Sequence, residues 1–146
     1  MSLADWLRNG WLLEHRPSRS EIRDLLRIAD RDLGDAQTQG LSSDWRLNIA
    51  YNAALQIAVA ALAAAGYRAS RDSHHFRVLQ SLTHTLELDS KQVRQFDTFR
   101  KKRNVSEYDR AGTASDQEAA EMFELARKLR QGITKWLKAE HPELLP

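Results

Sequence analysis

The sequence contains no cysteine. This excludes disulfides, thiolate nucleophiles and cysteine-ligated zinc or iron–sulfur centres, and it fits a reducing cytoplasm. Proline occurs three times and glycine six times in 146 residues, so there are few places where a helix is forced to break. No apolar run reaches the ~20 residues that span a bilayer. The most apolar stretch, Ala53 to Ala65, is interrupted by Gln56. Met1-Ser2-Leu3-Ala4-Asp5-Trp6 shows no basic segment leading into an apolar core, so no secretory signal is expected and a cytoplasmic location is. GxxxxGK[ST], GxGxxG and GxSxG are all missing, which leaves P-loop, Rossmann and α/β-hydrolase chemistry without support. The histidines (His15, His74, His75, His84 and His141) form no HExxH or i, i+4 pair. Neither a metal nor a cofactor is therefore expected.

Hydrophobic residues make up 42% and charged residues 29%, a globular balance, and the length suits a single domain, 1–146. The net charge is only +2, but it is unevenly spread. Between positions 91 and 110, seven basic side chains (Lys91, Arg94, Arg100, Lys101, Lys102, Arg103, Arg110) face three acidic ones (Asp97, Glu107, Asp109). The remainder of the chain is left at −2. The positive field is local.

Helical periodicity runs nearly throughout, without strand alternation, repeats or low-complexity tracts. A first helix is expected from Ser2 to His15, stopped by Pro17. Ser18 and Glu21 have capping-box spacing, and the stripe that follows is Ile22, Leu25, Leu26, Ala29, Leu33 and Ala36. The run Asp30-Arg31-Asp32 reads as a solvated or locally paired surface. A third helix starts at Ser42, Ser43 or Asp44 and continues to Ala65, with Gly66 as its C′ residue. From Ala53 it is apolar on all sides, which predicts a central helix ~33 Å long. Asn48, Tyr51 and Asn52 enter it either as structural hydrogen-bonding groups or as part of a site. After a loop at 67–71, Asp72 or Ser73 caps a helix with Phe76, Leu79, Leu82 and Leu86. Ser90 caps another with Val93, Phe96, Phe99 and Arg103. The stretch from Arg110 to Ala114 is irregular. Ser115 and Glu118 form a second capping box before a closing helix carrying Met122, Phe123, Leu129, Ile133 and Leu137. Trp6, Trp11, Trp45 and Trp136 lie at helical spacing and read as packing residues, base stacking being the alternative. The fold class is all-α, an antiparallel bundle of four to five core helices with a short N-terminal helix at 1–16.

The most unusual stretch is Arg100-Lys101-Lys102-Arg103-Asn104-Val105-Ser106-Glu107-Tyr108-Asp109. Arg103 continues the line of Phe96 and Phe99, so it points toward the packed side, where a guanidinium needs a partner or a cleft. Asn104 and Tyr108 share a helix face. A cation, an amide and a phenol at one helix end suit a phosphodiester, whose oxygens arginine binds in bidentate fashion. The other reading is a structural ion pair for Arg103 with solvated Lys101 and Lys102.

Arg103-Asn104 followed by a ring residue at Tyr108 resembles the motif of HEPN domains. In that family an arginine, a polar residue and a histidine lie on a late helix of a bundle. The alanine-rich helix around Ala50-Tyr51-Asn52-Ala53-Ala54-Leu55 and Gly66-Tyr67-Arg68, the His74-His75 helix start and the closing helix from Ser115 to Leu137 occur in the family's order. The likeness covers about residues 18–140, with the first helix as an accessory element.

The resemblance implies a homodimer that binds RNA or a nucleotide and takes part in a toxin–antitoxin or defence system. A small nucleotidyltransferase is then the antitoxin partner, and no membrane is involved. It assigns Arg103, Asn104 and Tyr108 to the catalytic position, and the local positive field adds Arg100, Lys101, Lys102 and Arg110 as nucleic-acid-binding residues. The alternatives are a metal-independent endoribonuclease and a non-catalytic protein-interaction module. Tyr108 stands where the family has histidine. A phenol with a pKa near 10 stays protonated at neutral pH and is a poor general base. His74 and His75 cap or flank their own helix, or else one of them approaches the Arg103 motif and replaces the missing base.

Overall fold

The computed structural model describes residues 1–71, 74–108 and 114–146, with side chains throughout except at 104–108. The expected cap at Asp72 or Ser73 and the stretch 110–113 lie outside these. The chain runs α1 (Leu3–Arg8), β1 (Leu12–Glu14), α2 (Arg19–Asp35), α3 (Ser43–Ala64), β2 (Tyr67–Ala69), α4 (His74–Ser81), α5 (Ser90–Tyr108) and α6 (Asp116–Glu140), then a 3-10 turn at Pro142–Leu144. It is an all-α bundle of five core helices with a short leading helix, as the periodicity predicts.

The centre is α3, which packs against α2, α4, α5, α6 and β2. Ala53, Ala54, Ile57, Ala58, Ala60 and Ala61 are all fully buried. Methyl-sized side chains let neighbouring helices close in on several sides of one helix at native packing density. Ser42 caps α3 by accepting from the Trp45 N–H, and Gly66, at φ +98°, turns the chain away after it. By length and hydropathy this 22-residue helix would pass for a membrane span, but 72% of its most apolar stretch is buried within the bundle.

Ser115 and Glu118 form the reciprocal capping box expected at the start of α6. The start of α6 is also tied to that of α3. Asp44 Oδ1 accepts from the Ala114 N–H at 3.0 Å, and the Ser43 hydroxyl donates to Asp116. The cap of α5 is one residue earlier than expected. The Asp89 carboxylate accepts from the Gln92 backbone N–H at 2.8 Å, and the Gln92 side-chain Oε1 accepts from the Asp89 backbone N–H at 3.1 Å. The box at Ser18 is only half made: Ser18 accepts from the Glu21 N–H, while the Glu21 carboxylate turns to His15 Nε2 at 2.8 Å.

The first helix is much shorter than expected. Gly10, at φ +78°, breaks the chain away after Arg8. The next residues pair antiparallel with the segment after α3, Leu12 opposite Ala69, Leu13 opposite Arg68 and Glu14 opposite Tyr67. Flanking bonds from Ser70 N–H to the Trp11 carbonyl and from His15 N–H to the Gly66 carbonyl extend this ribbon. It drives Leu12 into the core at 1% exposure. Helix α4 also stops at Ser81, so Leu82, though fully buried, follows in a turn.

Replacing Ala58 with Leu should overpack the central helix and lower stability by about 1–3 kcal/mol. Urea unfolding monitored by circular dichroism checks this, and an unchanged midpoint would mean that the space around α3 is loose.

Candidate functional site

Helix α5 buries Phe96 and Phe99 at 0% and 4% exposure, and Arg103 is next on that line. Its guanidinium carbon lies 5.1 Å from the centroid of the Tyr51 ring on α3. A cation over a partly desolvated phenol ring contributes about 0.5–2 kcal/mol and fixes the direction of the guanidinium. Arg103 also lines a cleft of about 200 Å³ with Trp45, Asn48, Ile49 and Asn52 of α3 and Asp32 of α2. Three helices thus converge on the predicted arginine. Asn48, Tyr51 and Asn52, ambiguous in the sequence, all face it or line its cleft.

Asp32, expected on a solvated or locally paired surface, keeps the local pair with Arg31 but is buried. It is 6% exposed rather than solvated, and it accepts from Asn52 Nδ2 at 2.6 Å and from Arg31 at 3.0 Å. A signal was present: Asp32 is three residues after Ala29 and four before Ala36, on the inward stripe of α2. Asp30 does take the expected surface role, pairing with Arg130 at 2.7 Å.

Tyr51 is fully buried and its hydroxyl has no hydrogen-bond partner among the described residues. Burial pushes its pKa up to about 12, against the opposing pull of Arg103 and Arg100. The His75 ring lies 6.3 Å from the Tyr51 ring. Burial and then the positive charges of Arg103, His74 and Arg100 hold the His75 pKa below the usual histidine value. Of the two adjacent histidines, His75 is the one set against Tyr51, while His74 is exposed.

The basic residues around Arg103 are partly neutralised. Arg100 and Lys101 share Asp97 at 2.8 and 3.3 Å, and Lys102 reaches Glu118 of α6 at 3.0 Å. Burial raises the Asp97 pKa, but the bonds from Arg100 and Lys101 together outweigh it and hold the carboxyl below its ordinary range. Arg100 also lies over Phe76, at 5.7 Å. Lys101 remains 70% exposed. Asn104 and Tyr108 belong to α5, but their side chains, like Arg110, lie outside the described residues. Trp6 is buried, and Trp11 stacks with the Arg77 guanidinium at 3.8 Å, so both are packing residues. Trp45 is not: it is 62% exposed at the cleft.

A helical bundle with an arginine-led motif late in the chain, its arginine set against the central helix, defines the class. The family model for the HEPN domain matches residues 22–136. The chain belongs to the HEPN domain family; α1 and β1 lie outside the matched span. Searches of curated proteins and of solved structures return no match.

Replacing Tyr51 with Phe removes a buried hydroxyl without breaking a described bond. Stability at pH 8 should stay level or rise by up to about 1 kcal/mol. The phenol releases its proton near 10 in the unfolded chain and at about 12 in the fold. Its contribution is therefore complete below pH 10 and lost as pH rises toward 12. The advantage of the Phe variant should grow across that window, as read by urea unfolding at pH 8 and pH 11. A large loss at pH 8 would reveal a hydrogen bond to the hydroxyl.

Proposed function

We propose that this protein is a HEPN-type RNA-binding homodimer whose RNA site is the cleft led by Arg103. The observation that carries this reading is the convergence of α2, α3 and α5 on that guanidinium, held over Tyr51 at the edge of an open cleft. Guanidinium binds phosphate oxygens through a planar fork of donors. The ion pair of Lys101 does not oppose this: its side chain is 70% exposed, and a pair at the surface contributes only about 0–1 kcal/mol, so phosphate competes for that cation readily. Asn104 and Tyr108 orient the same phosphate, and Arg110 extends the basic segment. In the dimer the two motifs face each other and form one positive groove. The biological setting is a cytoplasmic toxin–antitoxin or defence pair with a small nucleotidyltransferase as antitoxin.

Replacing Arg103 with Ala should weaken single-stranded RNA binding about 10- to 150-fold, the loss of a charged hydrogen bond. It should also lower the slope of log affinity against log salt by about one. Fluorescence anisotropy over a salt series measures both, and sedimentation tests the dimer. Native-level affinity in the variant would sink this reading.

His75 favours a second reading, a metal-independent endoribonuclease. Neutral imidazole is a competent base at physiological pH, whereas the Tyr108 phenol is not. The base would take the ribose 2′-hydroxyl proton, the 2′-oxygen would attack phosphorus, and the 5′-oxygen would leave with a proton. Cleavage in the presence of a chelator should yield 2′,3′-cyclic phosphate ends, disappear in His75→Ala, and persist or rise in Tyr108→His. The absence of cleavage by the native chain and by Tyr108→His, across several RNAs, would eliminate catalysis while leaving binding in place.

A further inference from the structure

Trp45, Asn48, Ile49 and Asn52 follow one another at the i, i+3, i+4, i+7 spacing of a single helix face, and all four line the Arg103 cleft. This is the one part of α3 where the helix that buries its alanines leaves a large ring in water. Among the described residues, Trp45 is the only phenylalanine, tyrosine or tryptophan in the exposed class. One turn along, Asn48 Oδ1 is buried and has no hydrogen-bond partner among the described residues. A desolvated acceptor without a donor costs about 1–3 kcal/mol, and an N–H group entering the cleft would satisfy it with a small turn of the carboxamide. Asn52 is already committed through its Nδ2 to Asp32, which keeps that side of the cleft rigid and acceptor-rich.

We propose that this face is a nucleobase subsite: an unpaired base stacks on the Trp45 indole and presents an N–H donor to Asn48, while its phosphate lies toward Arg103. The inference rests on the reading of the cleft as an RNA site and adds to it a base-recognising residue outside the arginine motif. Every base offers a π-face, so the indole supplies affinity without strong sequence preference. The Asn48 acceptor takes a base N–H, either an exocyclic amine or the ring N–H of uracil or guanine. The same chemistry is shared by single-stranded RNA and by a free mononucleotide.

The test compares native protein, Trp45→Ala, Trp45→Phe and Arg103→Ala. The probes are a short single-stranded RNA, the same RNA with abasic ribose at successive positions, AMP, and ribose 5-phosphate. Trp45→Ala should weaken binding of the intact RNA about 5- to 150-fold. It should abolish the difference between intact and abasic RNA and leave the salt slope unchanged. Trp45→Phe should retain most of the affinity. Arg103→Ala should lower the salt slope but keep the preference for an intact base. AMP binding that ribose 5-phosphate does not reproduce, lost in Trp45→Ala, assigns the subsite to free nucleotides as well. RNA binding without AMP binding assigns it to the polymer. Full affinity and full base dependence in Trp45→Ala would overturn the subsite and leave the RNA reading intact. No RNA binding by the native protein would overturn both. A Trp45→Ala chain that sediments as a monomer while retaining base dependence would make Trp45 a subunit contact and overturn the stacking role.

Discussion

Close packing around an alanine-rich helix is the constraint from which the rest of the molecule follows. Helix α3 has no side that belongs to solvent over its C-terminal half, and its methyl-sized side chains set how near its neighbours can come. Leucines at the same places would hold those neighbours apart, and the bundle would lose its common centre. With the distances set in this way, the residues one or two turns before the alanines, on the N-terminal half of α3, meet α2 and α5 at short range. The cleft sits there because the small-residue packing gives out and Trp45, Asn48 and Asn52 take over.

That transition also explains the electrostatics. Arg103 approaches from a helix whose preceding turns bury Phe96 and Phe99, so its charge is carried toward the core and comes to rest against Tyr51 rather than in bulk water. Burial makes the phenol hold its proton against the pull of that charge, whereas for the His75 imidazole burial and the charge act together and hold its pKa down. Farther out on α5, Arg100, Lys101 and Lys102 are moderated by Asp97 and Glu118, so the field of the basic segment is focused on fewer cations than its composition suggests.

Much of this was legible in the sequence, for identifiable reasons. Long periodic segments, the Ser42 and Ser115 caps and the Gly66 stop are local signals, and each appears where its chemistry places it. The inward direction of Arg103 followed from its spacing to Phe96 and Phe99. The ribbon of β1 and β2 was not legible, because three residues are too few to show alternation and Leu3, Trp6, Leu7 and Leu13 also fit a helix. Asp32 was concealed by its neighbours: directly after Asp30 and Arg31 it looks like surface, and only its place on the α2 stripe marks it as inward. The exposure of Trp45 depends on which helices stop short of it, a tertiary fact with no local trace. The proximity of His75 to Tyr51 likewise needs the relative placement of α3 and α4.

Because the alanine half of α3 and its cleft-lining half are successive lengths of one rod, packing scaffold and cleft lining are separable along a single axis. Trp45 is the outward group of the cleft-lining half, whereas Asn52 holds the buried Asp32, so position 45 is the one that can be exchanged without disturbing either the buried methyls or that hydrogen bond. The same division gives a protein engineer an exposed position on the central helix that can be varied while the alanine packing stands still.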